Sequence, residues 1–165
     1  MEKWKRVHIK KAAEPDGILY VMENNREIPF DIQRVFLVAN VQQGKTRGDH
    51  ATKRTRLVLF PVSGSCNVVV DDGETKESFQ MNDPSEGLLI EPMVWRSMQE
   101  FTPDCVMMAV CDRQYEPGNE TWDDYQTFLE IIRENEGVND QNRCTGNSQY
   151  CRTQNDSGNT ETSRL

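Results

Sequence analysis

Between residues 34 and 111 the chain alternates short apolar runs with turn-forming residues. Arg34 to Val41, Leu57 to Val62, Cys66 to Asp71, Thr75 to Met81, Leu88 to Glu91, Arg96 to Phe101 and Cys105 to Cys111 are each rich in Val, Ile, Leu, Phe or Met. Gly44 to Gly48, Ser63-Gly64, Asp72-Gly73 and Asn82-Asp83-Pro84 separate them. Runs of this length with such boundaries predict strands. Asp72-Gly73, between Val68-Val69-Val70 and Phe79, predicts a two-residue hairpin turn, because Gly and Asp tolerate the positive φ it requires.

The period changes after residue 120. Trp122, Tyr125, Phe128, Leu129 and Ile132 recur at helical spacing. Thr121, with Asp124 three residues on, is the expected N-cap, and Gly137 is the expected stop. From Asn139 to Leu165 the chain is polar, with Tyr150 and Leu165 its only large apolar residues, so residues 139–165 are expected to form a disordered tail. Residues 1–138 then make one domain. Many evenly spaced short strands and a single C-terminal helix predict an all-β sandwich or jelly roll.

Composition narrows the function. The chain has 165 residues, a formal charge of −8 and two histidines. Residues 1–56 hold 12 basic and 7 acidic side chains, whereas residues 57–138 hold 4 and 17. The acidic total and the lack of a long Lys/Arg run argue against a nucleic-acid partner. The leading segment interleaves charges with Trp4, Val7 and Ile9, unlike a secretory signal, and no apolar stretch is long enough to span a membrane. An odd count of five cysteines without an export signal points to the cytoplasm.

The candidate chemistry lies in Thr46 to Arg56, where Arg47, Lys53, Arg54 and Arg56 cluster around His50. Guanidinium forks suit phosphate or carboxylate oxygens, and a solvated charged loop is the plain alternative. A three-histidine metal site is ruled out by count, since only His8 and His50 are present. No Gly-rich phosphate loop, nucleophile elbow or dinucleotide fingerprint occurs, and no cofactor is expected.

Several motifs nevertheless occur together in a recognisable order. Ile28-Pro29-Phe30-Asp31-Ile32-Gln33-Arg34-Val35-Phe36, Arg47-Gly48-Asp49-His50-Ala51, Val62-Ser63-Gly64-Ser65-Cys66 and Asp71-Asp72-Gly73 are followed by Pro92-Met93-Val94-Trp95-Arg96 and Asp124-Tyr125. In order and spacing the chain resembles the sugar-nucleotide 3,4-ketoisomerases over about residues 14–132. The resemblance implies a cupin double-stranded β-helix and a homodimer that exchanges N-terminal strands. It also implies metal-independent movement of a keto group between C4 and C3 of a dTDP-4-keto-6-deoxy-hexose.

By this resemblance Arg47 and His50 are the catalytic candidates. Arg34 or Arg56 is expected to help hold the diphosphate, and Thr52 and Trp95 to line the substrate site, Trp95 being equally suited to the core. The family's second histidine falls on Thr52, its tyrosine on Leu37 and its glutamine on Leu57. Three readings therefore stand side by side: an isomerase with His50 as single acid/base, a non-catalytic relative that binds a nucleotide sugar or a partner, and a relative with changed chemistry on an activated sugar. Tyr20 and Tyr115 are candidates for a replacement phenol.

Overall fold

A computed structural model describes residues 2–145, with side chains through residue 135. Twelve strands and one helix follow in order: β1 (Trp4–His8), β2 (Lys10–Glu14), β3 (Gly17–Val21), β4 (Arg34–Ala39), β5 (Arg47–Thr52), β6 (Leu57–Ser63), β7 (Cys66–Asp71), β8 (Lys76–Met81), β9 (Glu86–Ile90), β10 (Trp95–Gln99), β11 (Val106–Cys111), β12 (Thr121–Trp122) and α1 (Tyr125–Thr145). One five-stranded sheet runs β1-β9-β6-β11-β4, a second runs β12-β5-β10-β7-β8, and β2-β3 is a separate hairpin. All named strand pairs are antiparallel. From β4 onwards the chain passes back and forth between the two large sheets, which is the jelly roll expected from the strand pattern and the double-stranded β-helix implied by the resemblance.

Side-chain alternation explains how the sheets pack. Leu57 and Leu59 of β6, Val68 and Val70 of β7, Leu88 and Ile90 of β9, and Met107 and Ala109 of β11 fill one cluster. Their neighbours Val58, Phe60, Leu89 and Val110 form a second cluster, closed by Ile9, Ile28 and Phe30 from the N-terminal segment. β6 is therefore buried on both faces, which is why Leu57 to Pro61 reads as an unbroken apolar run. β4 alternates instead: Arg34, Phe36 and Val38 are half-buried, whereas Val35, Leu37 and Ala39 are exposed.

Turn chemistry follows the sequence with corrections. Asp71 pairs with Lys76, so the β7–β8 connection has four residues rather than the expected two. The Asp72 carboxylate accepts the Glu74 and Thr75 amides at 3.1 and 2.8 Å, which stabilises that longer loop. Gly64 has φ 60°, and a Cβ there would stand 2.7 Å from the Cys105 backbone, so only glycine fits without rearrangement.

The helix begins later than expected. Thr121 and Trp122 pair with Thr52 and Ala51 of β5, and the cap is Asp124, whose Oδ1 accepts the Thr127 amide at 2.8 Å. The edge of β5 competes for Thr121 and wins, because the strand hydrogen bonds are available there and Asp124 can cap without them. Phe128 is fully buried and meets Trp95 at 5.7 Å, and burying such a ring contributes roughly 2 kcal/mol. Among the described residues the chain forms two compact units, 2–132 and 133–145. The helix continues through Gly137 to Thr145, since an interior glycine costs a helix only about 1 kcal/mol and does not oblige it to end. The rest of the polar tail, 146–165, lies outside the described residues. Among the described residues no helix is long and apolar enough to cross a membrane.

Candidate functional site

The inward faces of β4, β5 and β10 bound a cavity of about 560 Å³, within the size range of small-molecule sites. Phe36, Val38, Leu59 and Met98 make its apolar wall. Arg34, Arg47, His50, Arg96, Glu120 and Asp123 supply the charged groups.

His50 is set by a strand irregularity. β5 and β10 pair Arg96 with His50, shift register, and then pair Ser97 with Gly48. Directly opposed residues point to the same face, so the bulge brings the Arg96 guanidinium and the imidazole together. Gly48 permits it: its φ is 93°, and a Cβ would lie 3.0 Å from the Arg96 carbonyl oxygen. Arg96 Nη2 stands 2.9 Å from His50 Nε2. A guanidinium has donors only, so this Nε2 is the accepting nitrogen of a neutral ring.

Two effects keep His50 neutral. Burial lowers its pKa below the ordinary 6.5, and the Arg96 charge lowers it further; the Gly48 backbone and the Asp123 and Glu120 carboxylates oppose them in part. Burial also brings Arg96 down to about 10, which leaves it cationic near neutrality. Its Nη1 is buried without a partner among the described residues. Arg96 itself lines the cavity beside the imidazole, and a fixed cation at such a wall is suited to a ligand oxygen.

Arg34 is held differently. Both terminal nitrogens bond the Glu120 carboxylate, Nη1 at 3.0 Å, and Nη2 also meets Cys111 Sγ at 3.6 Å. Burial pushes the Glu120 carboxyl up, but the bonds from Arg34 and the Glu116 amide outweigh it and keep the group ionised. Arg34 is thus a neutralised cation in the wall. Arg47 is exposed and takes part in no ion pair among the described residues, so its charge is available to an anion.

The remaining candidates lie elsewhere. Arg56 is clamped by Glu91, with Nε and Nη2 2.8–3.1 Å from its carboxylate, and does not line the cavity. Thr52 is buried and donates to the Thr55 carbonyl at 2.7 Å. Trp95 points away from Arg96, as strand alternation requires, and meets Tyr125 at 5.1 Å beneath the helix. Leu37 faces outward and is 56% exposed, and Leu57 is in the core. The residue of β4 that faces the cavity at this level is Phe36, so Leu37 removes no group from the cavity wall, whereas Thr52 shares the strand face of His50 with its short hydroxyl turned to Thr55, and Leu57 shares that of Leu59 within the core.

Of the two tyrosines, Tyr115 lines the cavity, 5.5 Å from the Arg34 guanidinium carbon, and Tyr20 packs against the outer cluster. Arg96, Glu120 and Asp123 received no role from the sequence. A signal for Arg96 was present: it shares a strand face with Met98, whose side chain belongs inside. Among the described residues no three His, Cys, Asp or Glu side chains cluster as a metal site.

The chain is similar to known proteins over most of its length. The family model described as FdtA: WxcM-like, C-terminal, matches residues 2–133. The TDP-4-oxo-6-deoxy-alpha-D-glucose-3,4-oxoisomerase of Aneurinibacillus thermoaerophilus is 34% identical over 136 residues, 81% of this chain and 98% of that protein. QdtA, a sugar 3,4-ketoisomerase from Thermoanaerobacterium thermosaccharolyticum solved with TDP, is 30% identical with a TM-score of 0.77, covering 81% of this chain and 96% of that one. A mutant of QdtA has been solved with TDP-4-keto-6-deoxyglucose. A 3,4-ketoisomerase from Helicobacter canadensis is 31% identical with a TM-score of 0.77, covering 81% and 99% of the two chains.

Proposed function

Because the chain belongs to the FdtA, WxcM-like C-terminal family, we propose that it moves the keto group between C4 and C3 of a dTDP-4-keto-6-deoxy-hexose, as a step in deoxysugar biosynthesis. The observation that carries this reading is the pairing of a neutral His50 with a cationic, half-satisfied Arg96 in one cavity. Such a shift needs a base at C3 and a cation for the enediolate that follows.

In this mechanism the C4 keto oxygen attracts the Arg96 guanidinium, which frees the Nε2 lone pair of His50. His50 takes the C3 proton, and the electrons of the C3–H bond become the C3=C4 bond while the negative charge collects on O4. Arg96 holds that charge in a buried site, where it acts more strongly than in water. The imidazolium returns its proton at C4 as the C3 carbonyl forms. Arg47, at the exposed side, receives the diphosphate, and the apolar wall of Phe36, Val38 and Met98 packs against the deoxysugar.

Incubation with dTDP-4-keto-6-deoxyglucose in deuterated water tests the reading. Deuterium at C3 of recovered substrate and a 3-keto product are expected by NMR; tight binding with neither would overturn it. The pH profile is a second check. His50 acts as base only when neutral, so kcat/KM falls as pH drops through a midpoint below 6.5. Arg96→Gln removes the repelling charge and is expected to raise that midpoint while lowering the plateau. A midpoint unmoved or lowered in the variant would mean that Arg96 does not tune the histidine.

A homodimer fits the surface. Ile18 and Leu19 of β3 and Val35 and Leu37 of β4 are apolar and more than half exposed, which supports burial against a second copy. Light scattering of the purified chain is expected to give twice the mass of 19.1 kDa, and a monomer would refute the pairing. Cys66, Cys105 and Cys111 are buried free thiols, which supports a reducing compartment such as the cytoplasm.

A further inference from the structure

The reaction moves two protons, and His50 accounts for one. Shifting the keto group from C4 to C3 breaks the C3–H and O3–H bonds and forms C4–H and O4–H bonds. The carbon-bound proton passes through His50. The hydroxyl proton needs another carrier, and Arg96, a donor-only cation, has no lone pair to receive it. Thr52 is also unsuitable, because its hydroxyl is buried and donates to the Thr55 carbonyl.

The fold sets a carboxylate beside the histidine. β12 runs antiparallel to β5, with Thr121 opposite Thr52 and Trp122 opposite Ala51. The pairing ends at Trp122, and Asp123 follows it directly, in the direction of His50 along β5. Alternate residues share a face, so Asp123 is carried to the same side as Thr121. Thr121, Asp123 and His50 all line the cavity, as that placement requires. The intervening Trp122 turns the other way, with Lys53 Nζ 4.2 Å from its ring centroid. Asp123 is also close enough for its charge to favour protonated His50.

The cavity's two carboxylates are not equivalent. Glu120 is bonded by Arg34 and by the Glu116 amide, so its lone pairs are engaged. Asp123 is exposed and forms no ion pair among the described residues. Its two oxygens can bridge vicinal oxygens of a sugar.

We propose that Asp123 is a second catalytic residue, the carboxylate that carries the hydroxyl proton from O3 to O4. This rests on the isomerase reading above. In the enediolate, Asp123 accepts the proton as the O3–H bond breaks and delivers it as the O4–H bond forms. Charge thereby moves from O4 to O3, and the C3 carbonyl forms as the imidazolium protonates C4. Both residues end in their starting protonation states, and no other reactant is consumed.

Asp123→Asn preserves shape but cannot carry the proton. With dTDP-4-keto-6-deoxyglucose in deuterated water, C3 exchange is expected within a few-fold of wild type while 3-keto product forms about 10²-fold more slowly. Asp123→Glu, which keeps a carboxyl, is expected to recover part of the loss. NMR titration of His50, a measurement independent of turnover, is expected to give a lower midpoint in the Asn variant, because a favourable neighbouring charge has gone. Unchanged product formation would overturn the proposal, as would equal losses of exchange and product. An unmoved His50 midpoint would overturn it too, by removing Asp123 from the histidine's side. A wild-type protein with neither exchange nor product would instead defeat the isomerase reading, whatever the titration shows, and this proposal with it.

Discussion

His50→Asn is expected to lower isomerisation of dTDP-4-keto-6-deoxyglucose by about 10³-fold and to abolish deuterium exchange at C3. The size follows from the role: a positioned acid/base contributes typically 10²–10⁴-fold, and the base is needed both to remove the C3 proton and to return it at C4. Asparagine is the informative replacement because its amide oxygen can still accept from Arg96, so that the buried guanidinium is not stranded. Nucleotide binding should survive, since Arg47 lies on the exposed side of the cavity and does not depend on the imidazole. TDP affinity within a few-fold of wild type, with exchange lost, separates a chemical defect from a collapsed site. Retention of exchange in this variant would move the base to another residue and leave His50 a structural partner of Arg96.

The strands of the two large sheets were legible wherever burial imposed a pattern. β6, β7, β9 and β11 are apolar because their side chains fill the two clusters, and each was visible as an apolar run. β5 was not visible as a strand: Arg47-Gly48-Asp49-His50 contains no β-branched residue, and its place between β12 and β10 comes from backbone pairing. The same loss affected the N-terminal strands, whose outward charges conceal single inward residues such as Trp4 and Ile9.

The site divides along similar lines. Arg47 and His50 were legible because an unusual local cluster carried them. Arg56 belonged to that cluster but is used elsewhere, since Glu91 lies 35 residues on and only the fold brings the two together. Glu120 and Asp123 come to the cavity through the β12 pairing, a long-range event with no local signature. Arg96 carried two opposed signals: an isolated charge in an apolar strand suggests an outward position, but its face is that of Met98, and it is buried there beside a histidine.

Glu120→Gln is expected to destabilise the fold by about 3 kcal/mol, because removing one member of a buried pair leaves the other charge uncompensated. Glu120 is 7% exposed and Arg34 19%, so water can relieve only part of the penalty. The Glu116 amide, 3.2 Å from the carboxylate, can still donate to the glutamine oxygen, so the loss falls on Arg34. For a chain of this size the loss corresponds to a melting temperature about 6–12 °C lower.

The sign of the pH dependence distinguishes this pair from a surface contact. Glu120 has a pKa held below its ordinary 4.5, so the folded state binds its proton less readily than the unfolded chain does. Its contribution is fully present above that value and is lost as pH falls through the folded-state pKa. The wild-type protein should therefore lose stability more steeply on acidification than the Gln variant. Replacing both partners by apolar residues, Arg34→Met with Glu120→Leu, is expected to restore much of the stability, since neither charge is then stranded. Equal stability of the Gln variant and wild type in a denaturant titration would mean that water already compensates Arg34. In that variant Arg34 would be a cation free to meet the diphosphate.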